Sequence, residues 1–134
     1  MKKALILLFI PLLFSCKKDR GTPCEQLVDS WRCISWVENQ KEQLSSTGKL
    51  SSLVARLDPI SSDGRGGFNW TAIYTTGLTE VFDGKYTVDS SCTQLRFTPT
   101  GQTSFMVDFS VSNQQLTMEG DLNGEAVQIT WEPY

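Results

Sequence analysis

From residue 30 to the C-terminus, apolar and polar residues alternate with a period of two in short runs rich in Thr, Val, Phe, Trp and Tyr. Gly, Asn, Asp, Ser and Pro separate the runs. A period of two places alternate side chains on the same face of a strand, so each run reads as a strand with one inward face. Eight runs are recognisable, at about 30–38, 50–58, 67–75, 79–88, 93–98, 103–111, 114–120 and 125–132. The sixth sets Phe105, Val107, Phe109 and Val111 against Met106, Asp108 and Ser110, and the eighth sets Val127, Ile129 and Trp131 against Gln128, Thr130 and Glu132. Leu53, Ala55 and Leu57 share a face in the second run, Phe68, Trp70, Ala72 and Tyr74 in the third, and Leu95 and Phe97 in the fifth. The first run is less regular. Trp31, Cys33, Ser35 and Val37 fall on one phase, which leaves Ile34 and Trp36, together with Val81 of the fourth run, on the outward one.

Most connections are short and turn-like, among them Thr76-Gly77, Ser112-Asn113 and Asn123-Gly124, and short connections join antiparallel neighbours. Eight sequentially paired strands close into an all-β, eight-stranded antiparallel up-and-down barrel, which leaves no unpaired sheet edge. A two-sheet β-sandwich has the same strand count and is the alternative. In the barrel, alternating strand direction sorts the inward residues by height. Trp31, Leu57, Phe68, Val88, Val111, Leu116 and Trp131 fall at the end where the chain enters and are expected to plug it. Leu53, Tyr74, Phe82, Phe97, Phe105, Met118 and Val127 fall toward the opposite end and are the candidate ligand-binding residues of any internal cavity. A barrel filled by its own side chains is the alternative reading.

The N-terminus follows a different rule. Met1-Lys2-Lys3 precedes eleven residues, Ala4 to Phe14, that are apolar apart from Pro11, and then come Ser15 and Cys16. A basic start, a short apolar middle and a small residue before the cut are the layout of a secretory signal over residues 1–15. The run falls short of the roughly 20 apolar residues a membrane span requires. Leu13-Phe14-Ser15-Cys16 resembles the lipobox of bacterial lipoproteins, which makes Cys16 the lipid attachment site and residues 16–23 a lipidated tether ahead of a domain at 24–134. More than one acyl chain gives stable attachment, whereas one holds a protein only marginally. Loss of the signal removes Lys2 and Lys3 and leaves 10 Lys+Arg against 15 Asp+Glu, a net charge of −5. That balance excludes nucleic acid, which requires a basic face, and leaves membrane attachment to the N-terminal lipid.

Leu27-Val28-Asp29-Ser30-Trp31 and the strand that follows, Gly84-Lys85-Tyr86-Thr87-Val88, Leu95-Arg96-Phe97, Gln115-Leu116-Thr117-Met118 and Ile129-Thr130-Trp131 together resemble the lipocalin-like domains of small lipoproteins of Gram-negative bacteria. The resemblance implies a cup for a small apolar or amphipathic molecule and a place in the cell envelope, at the outer membrane. The competing expectation is a non-enzymatic interaction module that docks another envelope protein.

No histidine occurs anywhere in the chain, which excludes Ser-His-Asp and Cys-His catalysis and leaves the cysteines without the spacing of a zinc site. Gly64-Arg65-Gly66-Gly67 reads as a loop rather than a phosphate cradle, and Glu80, Asp83, Asp108 and Glu119 read as solvated carboxylates. No enzymatic activity, cofactor or metal is expected. Three cysteines follow the anchor, in a chain expected to reach an oxidising compartment, and so imply one disulfide and one leftover thiol. Cys24 lies just before the first strand and Cys92 in the connection after the fourth, both at the same end of an up-and-down barrel. The expected pair is therefore Cys24 with Cys92, leaving Cys33 free inside the first strand, with Cys33–Cys92 as the rival pairing.

Overall fold

Each of the eight alternating runs forms a strand, because only an extended backbone presents every second side chain to a common interior. The computed structural model describes residues 21–134; the signal segment and Cys16 lie outside the described residues. The elements are α1 (Pro23–Gln26), β1 (Ser30–Glu38), β2 (Lys41–Glu42), β3 (Leu50–Leu57), β4 (Gly66–Tyr74), β5 (Thr79–Val88), β6 (Gln94–Pro99), β7 (Phe105–Ser112), β8 (Gln115–Leu122) and β9 (Glu125–Pro133). Apart from the two-residue β2, which pairs only with β1, each strand pairs antiparallel with the next, and β1 pairs with β9 to close the ring. The result is an eight-stranded up-and-down β-barrel with one extra strand, and the β1–β9 pairing excludes the sandwich. Two-residue turns with positive φ at both positions join β7 to β8 (Asn113 and Gln114, 50° and 63°) and β8 to β9 (Asn123 and Gly124, 57° and 83°). That handedness matches the twist of the flanking strands.

The expected phases hold on seven of the eight strands. Along β7, Val107 and Phe109 are buried while Met106 and Asp108 are exposed, and Val127, Ile129 and Trp131 are buried along β9. On β1 the sequence reading fails halfway. Cys33 stands opposite Trp131, but the next pairs are Ser35 with Thr130, Trp36 with Ile129 and Glu38 with Val127, so one extra residue is accommodated at a β-bulge between Cys33 and Ser35. An inserted residue inverts every later side chain. Trp36, expected on the outer face, therefore packs against the core, while Ile34 and Val81 stay outside as expected.

Polar groups freed by the bulge are satisfied locally. The Cys33 thiol donates to the Ser35 carbonyl at 3.3 Å, and burial pushes that thiol's pKa up to about 12, so it retains the proton it donates. β1 pairs with β3 only through Ser30, Arg32 and Trp31 before diverging. In the gap, the Glu42 carboxylate accepts from the Ser35 hydroxyl at 2.6 Å and from the backbone N–H groups of Trp36 and Leu44, each at 2.9 Å. Partial burial pushes the Glu42 carboxyl up, but these hydrogen bonds, with one from Gln43, hold it below its ordinary range.

Inside the barrel, the end where the chain enters is packed; outside it a wide-open surface cleft of 480 Å³ lies between α1, Trp31 and the β7–β8 turn. Leu27, Trp31, Leu57, Leu116 and Trp131 are at most 3% exposed. Val88 and Val111 are half-buried beside them, so most of the expected plug is in place. The Trp31 indole donates to the Leu27 carbonyl at 2.9 Å, which ties the end of α1 beneath the floor. Thr22 caps α1: its hydroxyl accepts from the Glu25 N–H, and the Glu25 carboxylate accepts from the Thr22 N–H. The helix thus begins at Pro23, one residue before the expected edge of the domain. Gly66, from the Gly-rich stretch, opens β4 because a Cβ there would stand 2.3 Å from the Tyr86 ring. The Tyr86 hydroxyl in turn donates to the Asp58 carbonyl at 2.6 Å, so Gly66 makes room for a buried ring.

Cys24 is disulfide-bonded to Cys92, with Cα atoms 5.3 Å apart, and Cys33 is free and buried. The bond fixes α1 to the β5–β6 connection across the barrel floor. Substituting both Cys24 and Cys92 by Ser is expected to lower stability by ~2 to 4 kcal/mol, since 68 residues separate the pair. Urea unfolding measures this, and an unchanged midpoint would contradict the clamp.

Candidate functional site

Above the filled floor the interior opens. Two adjoining cavities of 850 and 220 Å³ share Trp36, Glu38, Lys49, Trp70 and Phe82 in their walls. The larger one lies in the size range of small-molecule sites. Both are at the end opposite α1 and border the segment leading into β3; the β6–β7 connection and the β8–β9 turn bound the larger one.

Trp70 forms the divide between filled and open halves. It is 6% exposed, and its ring meets Trp131, Phe97, Phe68 and Phe105 edge-on, with centroids 5.4, 5.2, 6.2 and 6.4 Å away. Edge-to-face contact places the positive ring edge against a negative face, so the cluster is directional as well as apolar. Phe97 extends it by stacking on Phe105 at 5.3 Å. The Trp70 indole N–H is buried with no acceptor among the described residues. Gly84 permits this crowding: a Cβ there would lie 2.2 Å from the Thr98 carbonyl and 2.9 Å from the Phe68 ring.

The seven candidate residues divide. Leu53, Tyr74, Phe82 and Phe105 line the two cavities. Phe97 and Met118 belong to the packed core, and Val127, opposite Glu38 near the mouth, lines neither cavity. Phe68, placed by strand direction at the plugged end, reaches the wall of the larger cavity instead. The sequence reading missed Trp36, Glu38, Lys49, Asp121 and Glu125, all of which contribute to that wall. The interrupted alternation of Cys33-Ile34-Ser35-Trp36 is the one signal that pointed to Trp36 and Glu38, because adjacent apolar residues on opposite phases are what a bulge produces.

The rim carries charge over this aromatic wall. The Lys49 ammonium donates to Glu38 at 2.6 Å. Lys49 holds the Glu38 carboxyl below the usual range, whereas Glu125, hydrogen-bonded to Glu38 and facing its charge, is pushed above it. The same ion pair raises the Lys49 ammonium. Glu38 is the more enclosed partner, its side chain 15% exposed against 62% for Lys49. The Tyr74 hydroxyl donates to Glu80 at 2.7 Å, and burial, then that carboxylate, push the phenol up to about 12. Glu80 was expected to be solvated and is instead half-buried at this rim.

No protein-family model and no curated protein matches the chain. Among solved structures, the chain is similar to a redesigned β-barrel, with a TM-score of 0.62 and 13% identity over 84% of this chain and 95% of that one. It is also similar to a de novo designed fluorescence-activating β-barrel, with a TM-score of 0.57 and 11% identity over 85% of this chain and 99% of that one. At such identities the likeness shows the fold alone: the chain is a closed antiparallel β-barrel.

Proposed function

We propose that the protein is a membrane-anchored lipoprotein of the cell envelope whose barrel binds a small hydrophobic molecule in the cavity opposite the chain's point of entry. The observation that carries the reading is the contrast between the two ends. At one the interior is filled by side chains at most 3% exposed, leaving only an open surface cleft beside α1, and the other holds 850 Å³ of space walled by Trp36, Phe68, Trp70, Phe82 and Phe105. Side chains of that size collapse into an interior unless the backbone holds them apart, and a persistent aromatic hollow gains free energy when an apolar guest replaces its water. Residue 21 leaves the barrel at the closed end. A lipid on Cys16 would therefore tether that end and leave the mouth free.

Titration of the Cys16→Ser chain with the neutral apolar dye N-phenyl-1-naphthylamine tests the cavity. Saturable fluorescence enhancement is expected, weakened about tenfold by Trp36→Ala, equivalent to ~1.4 kcal/mol of lost aromatic contact. Absence of saturable binding, with a second protein recovered alongside the chain, would favour the docking module instead. The anchor is tested separately by labelled fatty acid: Cys16→Ser is expected to abolish incorporation and release the protein from membranes, and a labelled, membrane-bound variant would contradict the lipoprotein reading.

A further inference from the structure

We infer that the cavity selects amphipathic organic cations, with the apolar part of the ligand among the aromatic rings and its ammonium or related positive group at the rim. The inference rests on the cavity reading above and adds the ligand's charge. The wall of the larger cavity contains three carboxylates, Glu38 from β1, Asp121 from β8 and Glu125 from β9, against a single cation, Lys49, which is already engaged by Glu38 at 2.6 Å. Glu80 from β5 adds a fourth carboxylate beside Tyr74. The charge is therefore in excess of what the chain's own cation neutralises. Five aromatic side chains lie directly beneath, at Trp36, Phe68, Trp70, Phe82 and Phe105, and ring faces attract positive charge. Carboxylate rim and aromatic wall favour the same sign.

A metal ion is the other cationic guest such a rim brings to mind, but among the described residues no three carboxylates converge closely enough to hold one. Carboxylates that form no metal-ligand set around a wide opening suit a diffuse, weakly hydrated cation such as a substituted ammonium. An anionic amphiphile would have to place its head group against the carboxylates with only Lys49 to receive it, so the same rim disfavours fatty acids.

Three dyes with one apolar frame separate the possibilities: diphenylhexatriene, its trimethylammonium derivative and its propionic acid derivative, each titrated against the Cys16→Ser chain at neutral pH and low salt. The trimethylammonium dye is expected to bind about tenfold more tightly than the propionate, with the neutral dye between them, and added salt is expected to narrow the gap. In the Glu38→Gln/Glu125→Gln double variant the gap is expected to close while affinity for the neutral dye is unchanged, which also reports that the barrel remains folded. Equal affinities for the two charged dyes, or a gap that survives the double variant, would overturn the cation assignment alone. Failure of all three dyes to bind would overturn the cavity reading beneath it.

Discussion

The pairing of β1 with β9 closes the barrel, and a single inserted residue within that pairing determines what the interior contains. Before the bulge, Trp31 and Cys33 face inward; beyond it, Trp36 and Glu38 do. Without the insertion, Ser35 and Val37 would face the cavity, and the rim would lose both an aromatic wall residue and its most enclosed carboxylate. Divergence of β1 from β3 leaves backbone groups that water or another chain would otherwise claim. Glu42 and the Cys33 thiol satisfy them internally, so the irregularity is supported by its own hydrogen bonds rather than by strain elsewhere.

The remaining organisation follows from where large side chains meet. Trp31 and Trp131 fill the floor, with Leu27 and α1 beneath and the Cys24–Cys92 bond holding α1 in place. Above them, Trp70 contacts four aromatic rings edge-on and blocks further collapse toward the mouth. Rigid rings held by a closed ladder of strands cannot rearrange to fill the upper half without breaking cross-strand pairs, so the floor is dense and the mouth open within one short barrel. Glu38, Lys49, Asp121 and Glu125 then ring the opening because strand ends and turns are where charged side chains reach solvent.

The fold was legible because period-two alternation survives intact on seven strands, and the Asn-containing turns mark where the chain reverses. The disulfide followed from topology, since strand direction places Cys24 and Cys92 at the same end and Cys33 inside β1. The site was half legible. Strand direction placed Leu53, Tyr74, Phe82 and Phe105 at the open end, but direction gives height alone: Phe97 and Met118 pack within the core, and Val127, level with Glu38, is absent from both cavity walls. Trp36 and Glu38 were hidden because a register shift depends on the partner strand: Ile129 and Val127, nearly a hundred residues away, decide which way they point. Lys49, Asp121 and Glu125 come from connections and strand ends, where no periodicity identifies a face.

Cross-strand nuclear Overhauser effects between β1 and β9 test the bulge most directly. Backbone contacts are expected to place Trp36 opposite Ile129 and Glu38 opposite Val127, with Cys33 still opposite Trp131. An unbroken register, with Ser35 opposite Ile129 and Trp36 opposite Gln128, would turn Trp36 and Glu38 outward and contradict the bulge.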